Sequence, residues 1–379
     1  MTTSRDTDER FLSQALDLAR EGIGLTSPNP CVGAVIVDAK GAIVGSGSHT
    51  YEGVKHAEVI ALEQAGEKAR GATLYINLEP CSHQGRTAPC TDAIIAAGIC
   101  RVVACMQDPN PLVSGQGFAK LRSAGIDVSC GILEEPAKAL NESFARYIRH
   151  HIPLVTLKAA MTLDGKIAPP PTQSPNRTDW ITGESARAHV QELRRQHDAI
   201  LAGVGTVIAD DPLLTDRSGR PRRRPLLRVI LDSGLRLPLG SRIAKTAQDD
   251  VLVLCSFAEE KKKKQLLKLG IRVQQLPTAT SDGHPDMDAV VRFLGQMEIT
   301  SLMIEGGAMV NGAALGSGIV DKVFLYYAPK ILGGTTSVPF AGGAGFANTR
   351  DAAYVKSTRL HRFGEDFAVE GYLKDPYAD

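Results

Sequence analysis

His56-Ala57-Glu58-Val59-Ile60-Ala61-Leu62-Glu63-Gln64-Ala65, then Ala72-Thr73-Leu74-Tyr75-Ile76-Asn77-Leu78-Glu79-Pro80-Cys81, then Cys90, together decide the reading of the first half of the chain. The first stretch predicts a helix over 57–65 that opens on an imidazole and a carboxylate two residues apart. The second predicts a strand over 72–78 that runs into a Glu-Pro-Cys turn. One imidazole and two thiols suit zinc, and three protein ligands leave the fourth tetrahedral position for water, which distinguishes a catalytic zinc from a structural one. His56, Cys81 and Cys90 are therefore the expected ligands, with Glu58 beside the metal as a proton carrier.

Outward from these stretches, helical and strand-like patterns alternate. Helices are expected over Glu9 to Glu21, Thr91 to Ala97 and Gly117 to Ala124, and strands over Cys31 to Val37, Arg101 to Met106 and Val128 to Ile132. Such alternation implies a three-layer α/β/α domain, its sheet covered by helices on both faces. Both ligand segments are expected at helix starts, where backbone N–H groups favour thiolate. The order H-x-E, then Pro-Cys, then a second cysteine is that of zinc deaminases, but the short Cys-x-x-Cys is replaced by a loop from Ser82 to Pro89. A structural zinc, with His83 as fourth ligand, is the alternative; His83 otherwise belongs to the pocket wall.

A chain of 379 residues suits two domains, and 43% apolar with 22% charged residues is ordinary for a globular protein. A seam is expected around His150-His151-Ile152-Pro153, giving domains 1–149 and 150–379. The net charge of +1 gives no global field for nucleic acid. Met1 to Asp6 lacks an apolar segment, and no apolar run is long enough to cross a bilayer, so no secretory signal and no membrane partner are expected. Seven cysteines without a signal point to reduced thiols in the cytoplasm. Cys31, Cys100, Cys105, Cys130 and Cys255 lie in apolar strand contexts and are expected to be buried and inert, although Cys31 follows a Pro28-Asn29-Pro30 loop able to line the pocket.

In the second half, Leu154 to Lys158, Leu227 to Asp232, Val251 to Cys255 and Leu302 to Glu305 read as core strands. Lys261-Lys262-Lys263-Lys264 follows Ala258-Glu259-Glu260 and reads as a solvated helix face; Pro221-Arg222-Arg223-Arg224-Pro225 reads as a surface loop. No strand-linked G-x-G-x-x-G is present, which argues against a Rossmann fold. Gly306-Gly307 lies between a strand and the helix expected over Ala308 to Leu315, a fitting seat for cofactor phosphates or a simple packing turn.

These motifs carry a resemblance. Pro28-Asn29-Pro30-x-Val32-Gly33, His56-Ala57-Glu58, Leu78-Glu79-Pro80-Cys81-Ser82-His83, Gly85-Arg86-Thr87-x-Pro89-Cys90 and Asp108-Pro109-Asn110-Pro111 resemble the riboflavin-biosynthesis pyrimidine deaminases. Thr162-Leu163-Asp164-Gly165-Lys166, Trp180-Ile181-Thr182, Gly205-Thr206-x-x-Ala209-Asp210-Asp211-Pro212 and Glu305-Gly306-Gly307 resemble the reductase fused to them. The resemblance implies a cytidine-deaminase-like domain followed by a dihydrofolate-reductase-like α/β domain. It implies hydrolytic deamination of a phosphoribosylaminopyrimidine with Zn2+, then reduction of the ribosyl group to ribityl with NADPH, in a homo-oligomer, dimer or tetramer.

By the same resemblance, Asn29, His49, Arg86, Asp108 and Asn110 hold the base and its ribose phosphate. Ala160, Trp180, Thr206, Asp210, Ser233 and the run Gly307, Ala308, Met309, Val310, Asn311, Gly312, Ala313 contact NADPH. Thr178, Arg194, Leu214, Arg217 and Glu305 contact substrate, with Arg194 and Arg217 suited to phosphate forks, and Lys166 serves the sugar or its proton. Departures from the family pattern are Ala88 before Pro89, a lengthened Pro-rich loop between Lys166 and Trp180, and Asp179. Two rivals remain: a nucleic-acid deaminase with an unrelated second domain, which the long Cys81–Cys90 loop opposes, and a zinc-stabilised binding protein, which Glu58 and Lys166 oppose.

Overall fold

The computed structural model describes residues 4–84, 88–170, 180–278 and 283–378. The chain divides into two compact units, one of Met1–His150 with Pro221–Arg223 and one of His151–Arg220 with Arg224–Ala378.

The first unit runs α1 (Ser4–Glu21), β1 (Gly33–Val37), β2 (Ile43–Ser48), α2 (Ala57–Ala65), β3 (Thr73–Leu78), α3 (Cys90–Ala96), β4 (Arg101–Met106), α4 (Gln116–Ser123), β5 (Asp127–Cys130) and α5 (Glu134–His150). Its five-stranded sheet has the order β2-β1-β3-β4-β5. β1 is antiparallel to both neighbours, and β3, β4 and β5 are parallel. Alternation of side chains along the strands separates two faces. Ala34, Ile36, Leu74, Ile76 and Val102 pack with Ala57 and Ala61 of α2, Ile94 of α3 and Leu121 of α4. On the other face Tyr75 meets Phe11 of α1, ring centroids 5.1 Å apart. The expected three-layer arrangement is therefore present. β2 was not among the expected strands. Its glycines let α2 lie against the strand: a Cβ on Gly45 would stand 2.1 Å from the Ala61 carbonyl oxygen, and one on Gly47 2.4 Å from that of Ala57.

The second unit runs β6 (Leu154–Thr162), β7 (Lys166–Ala168), α6 (Glu184–Gln196), β8 (Ala199–Gly203), α7 (Val204–Asp210), β9 (Leu227–Leu231), α8 (Arg242–Lys245), β10 (Val251–Cys255), α9 (Glu260–Leu267), β11 (Ile271–Gln275), α10 (Met287–Gln296), β12 (Ser301–Ile304), α11 (Ala308–Gly316), β13 (Lys322–Ala328), β14 (Val338–Pro339), β15 (Lys356–Phe363) and β16 (Asp366–Tyr372). Its nine-stranded sheet has the order β11-β10-β9-β8-β12-β6-β13-β16-β15. The strands from β11 to β13 are parallel, and β16 and β15 add an antiparallel edge. Ile200, Ile230, Val253 and Met303 face one helical layer with Leu193 and Val207, while Leu201, Val229, Leu254 and Ile304 face the other with Val290 and Leu294. The lysine run lies on α9, as its pattern predicts.

The cysteines correct one expectation. Cys105 and Cys255 are buried, but Cys100 and Cys130 are exposed and Cys31 is half-buried. Cys100 precedes β4 and Cys130 ends the edge strand β5, so neither has a layer on both sides.

Candidate active sites

His56 is the N-cap of α2, in extended backbone conformation (φ −74°, ψ 156°), which puts Glu58 in the first helical turn. Cys90 opens α3, and its backbone N–H donates to Cys81 Sγ at 3.3 Å. Cys81 itself stays in the loop after β3 instead of at a helix start. His56 Nδ1 lies 3.0 Å from Cys90 Sγ and 3.5 Å from Cys81 Sγ, and the three ligand atoms fall within 4.8 Å of one another. With metal–ligand bonds of about 2.0–2.3 Å, an N/S/S set at such spacing fits one tetrahedral zinc. Hydrogen bonds from Cys90 and His56 hold the Cys81 thiol well below its ordinary range, so a thiolate is ready at neutral pH. Glu58 is 3% exposed; burial raises its carboxyl pKa, and the nearby Cys81 charge adds to the rise.

A cavity of about 260 Å³ opens onto this cluster. Asn29, His49, Asp108 and Asn110 line it with Glu58, and so does His83, as expected of a wall residue. His49 Nδ1 faces the Lys55 carbonyl oxygen at 2.9 Å and so carries the proton, leaving Nε2 to accept from Asn29 Nδ2 at 3.0 Å. That pair fixes the Asn29 amide. Burial pushes the Asp108 carboxyl up to about 6. Arg86 lies outside the described residues.

Sequence reasoning passed over the residues that hold this wall in place. Asn141, 1% exposed at a non-helical kink in α5, accepts the Cys31 N–H at 2.8 Å and donates to the Cys31 carbonyl at 3.1 Å. Asn77 accepts from Gly33 N–H at 2.9 Å and donates to the same Cys31 carbonyl at 2.9 Å. A lone Asn between Ile76 and Leu78 on a buried strand was the signal available.

In the second unit the parallel strands β8, β12 and β6 end beside one another, the customary place for a ligand on an open α/β sheet. Glu305 follows β12 and joins Lys158 Nζ at 2.9 Å and the Arg194 guanidinium at 2.8 and 3.1 Å. Lys158 lies 7% exposed on the central strand β6, 5.7 Å from the Tyr326 ring centroid. It is a further residue that sequence reasoning missed, although a lysine inside Leu154 to Thr162 demands a buried partner. Burial would raise the Glu305 carboxyl, but Lys158 and Arg194 outweigh it and hold the group at about 2.

The expected reductase contacts divide by position. Ala160 shares the Lys158 face of β6, and Thr206 in α7 stands close to Gly307, the N-cap of α11. Trp180 is exposed beneath the Arg187 guanidinium, Asp210 is exposed at the end of α7, and Ser233 Oγ bonds His284 Nδ1 at 2.8 Å. From Ala308 to Ala313 the run forms the start of α11; Met309 is exposed, whereas Asn311 is buried and donates to the Phe340 carbonyl. A Cβ on Gly312 would stand 1.9 Å from the Gly342 carbonyl oxygen, so Gly312 serves packing there. Val310 packs on the core. Lys166 is half-buried, its N–H bonded to Thr162 Oγ1 at 3.1 Å.

Arg194 departs from expectation. It is 8% exposed and spends its guanidinium on Glu305 and the Thr215 carbonyl, so it braces Glu305 and the 214–217 segment instead of standing open as a phosphate fork. Arg217 is exposed. The Leu214 side chain is 4% exposed within the core, which leaves only its backbone for a ligand. Thr178 and Asp179 lie outside the described residues, as does the Pro-rich loop from 171 onward.

Residues 5–106 match the cytidine and deoxycytidylate deaminase zinc-binding region, and residues 153–369 match the RibD C-terminal domain. The chain belongs to the RibD family. The riboflavin biosynthesis protein RibD of Aquifex aeolicus (strain VF5) is 43% identical to it, over 96% of this chain and 98% of the relative. That of Escherichia coli (strain K12) is 40% identical, over 96% and 98%. Among solved structures, Acinetobacter baumannii RibD superposes with a TM-score of 0.84 at 36% identity, covering 97% of this chain and 99% of that one. The Thermotoga maritima diaminohydroxyphosphoribosylaminopyrimidine deaminase/5-amino-6-(5-phosphoribosylamino)uracil reductase gives 0.82 at 37% identity, covering 98% and 99%. As a RibD-family member the chain is a deaminase and reductase of riboflavin biosynthesis, with a cytidine-deaminase-like first domain and a RibD reductase domain, served by zinc and NADPH. Among the described residues no helix is long and apolar enough to cross a membrane.

Proposed function

We propose that domain 1–149 deaminates 2,5-diamino-6-(5-phosphoribosylamino)pyrimidin-4(3H)-one at its 2-amino group and that domain 150–379 reduces the ribosyl group of the product to ribityl. The observation that carries the first step is the His56–Cys81–Cys90 cluster with buried Glu58 at its side, opening on one cavity. His56 Nδ1 and the two sulfurs hold the zinc, which when bound brings the pKa of a water near 7. Glu58 takes the proton of the attacking water and returns it to the departing nitrogen, so that C–NH2 becomes C=O and ammonia leaves. Asn29, fixed by His49, offers its amide to the edge of the base, and Asp108 and Asn110 line the same cavity.

In the second domain NADPH supplies the hydride, and the protein aligns the sugar against it. Lys158, midway along β6, and the carboxylate of Glu305, just past β12, form an ion pair beside the sugar with Lys158 as the proton donor, Arg194 fixing Glu305 and Lys166 at the adjoining turn. The N-cap at Gly307 would hold the cofactor phosphates. A cytoplasmic homo-oligomer, dimer or tetramer, completes the reading, supported by described cysteines that are all free thiols and by the exposed edge strand β15. The net charge of +1 favours a small phosphorylated substrate over nucleic acid.

The test supplies zinc-loaded protein with the diaminopyrimidinone ribosyl phosphate, with and without NADPH, and follows ammonia and product mass. Ammonia release in both arms, with NADPH oxidised and a ribityl product only in the second, is expected. No ammonia would overturn the deaminase assignment, and ammonia without NADPH oxidation would overturn the reductase half.

A further inference from the structure

Glu79 takes no part in the chemistry above, yet its carboxylate is fully engaged. It follows β3, two residues before Cys81, and is 4% exposed. Oε1 accepts the N–H groups of Gly117 at 2.8 Å and Phe118 at 3.2 Å; Oε2 accepts those of Gly115 at 2.9 Å and Asp108 at 3.1 Å. A carboxylate offers about four lone-pair sites, so four N–H donors use them all.

Two of the donors come from the two ends of one loop, and the other two, Gly117 and Phe118, from the first turn of α4 behind it. Asp108 opens the loop, and Gly115 closes it before α4. Inside the loop Asn110 N–H bonds Asp108 Oδ1 at 2.8 Å and Leu112 N–H bonds Asn110 Oδ1 at 3.1 Å, so the two polar side chains are locked to the same backbone. The approach is close: a Cβ on Gly117 would stand 2.1 Å from the Pro80 carbonyl oxygen. Asp108 and Asn110 line the cavity together with Asn29, and Glu79 borders it with its oxygens already committed.

We propose that Glu79 is a positioning residue for deamination: by joining the N–H groups at the two ends of loop 108–115 to those of Gly117 and Phe118 at the start of α4, it fixes the loop and thereby the places of Asp108 and Asn110 against the substrate. The inference rests on the deaminase function proposed above. Glutamine at this position keeps the shape but turns one oxygen into an NH2 donor facing two N–H donors, so about half of the loop's anchorage becomes repulsive.

The experiment measures zinc content, deaminase kcat and KM, and reduction of separately supplied deaminated intermediate, for wild type, E79Q, E79D, N110A and E79Q/N110A. In E79Q, deaminase KM should rise roughly tenfold or more while kcat, zinc content and reduction stay within about threefold of wild type. The effects in the double variant should multiply to less than the product of the single effects, because part of the E79Q effect runs through Asn110 and the rest through Asp108. Unchanged KM in zinc-loaded E79Q, or effects that multiply in full in the double variant, overturns the proposal. Loss of zinc or of the fold in both E79Q and E79D overturns it in favour of a scaffold role. A wild-type enzyme that binds zinc but releases no ammonia overturns the proposed function, and the positioning role with it; the wild-type arm therefore tells the two failures apart.

Discussion

A carboxylate buried beside two sulfurs and an imidazole has its proton affinity raised, which suits a group that takes a proton and gives it back within one turnover. Glu58→Gln preserves the volume and removes that capacity. The variant should bind zinc as wild type does, lose deamination by about 10²–10⁴-fold and still reduce supplied intermediate, as read by metal analysis, ammonia release and NADPH absorbance. Loss of zinc would make Glu58 a ligand. Glu305 is the opposite case, a carboxyl held down at about 2 by Lys158 and Arg194. Because its folded pKa lies below the ordinary value, its contribution is fully present above about pH 4.5 and is lost as pH falls toward 2, on the order of 3 kcal/mol in all. Thermal unfolding of Glu305→Gln should lack that acid limb, and at pH 7 should sit about 3 kcal/mol below wild type, since two buried cations lose their counter-charge. A full acid limb in the variant would refute the assignment. The clustering of His56, Cys81 and Cys90 with Glu58 beside them was legible because zinc chemistry asks for those residue types in that order along the chain. Lys158 was not, since its partner Glu305 lies 147 positions away, and Asn141 reaches Cys31 across 110 positions.

At the scale of the element, β2 and α2 show why a strand of glycines and serines carries no periodic signal. Gly45 and Gly47 alternate along the strand and leave no side chain on the α2 face, so the helix backbone rests on the strand backbone. A hydrophobic period could not reveal a strand that packs by omission, whereas β10, apolar throughout, and β4, apolar after Arg101, were legible to the residue. The same contact governs the site, because α2 begins at His56 and carries Glu58. A methyl on Gly47 would stand 2.4 Å from the Ala57 carbonyl oxygen and 2.8 Å from Ile60 Cβ, so the first turn of α2 has to move. Gly47→Ala should therefore destabilise the first unit by about 1–3 kcal/mol and lower both zinc retention and deamination, with reduction of supplied intermediate unchanged. Calorimetry with metal analysis checks it; a variant of wild-type stability and zinc content would show that the helix can yield without cost.

For the whole molecule, the polar residues of each candidate site come from one unit with its own core: Ile36, Leu74 and Ile94 beneath the zinc cluster, and Leu193, Ile200 and Met303 on the face of the sheet that carries Lys158. Strand periodicity and the Gly-Gly turn after β12 made two α/β halves legible, while the order of nine strands was not, because pairings such as β12 with β6 join segments far apart in sequence. Separate cores imply separate responses to metal. Zinc binds the folded cluster and leaves an unfolded chain with scattered, weaker ligands, so its removal lowers the stability of the first unit alone; ligand at about 100 times its dissociation constant is worth about 2.7 kcal/mol. Dialysis against a chelator should abolish ammonia release, lower the unfolding temperature of residues 4–150, and leave NADPH-dependent reduction of supplied intermediate within about twofold of the starting rate. Re-addition of zinc should restore deamination, and the joint variant Cys81→Ser with Cys90→Ser should resist that rescue while still reducing the intermediate. Reduction that falls in step with zinc would show instead that the reductase site depends on the metal, either directly or through the first unit.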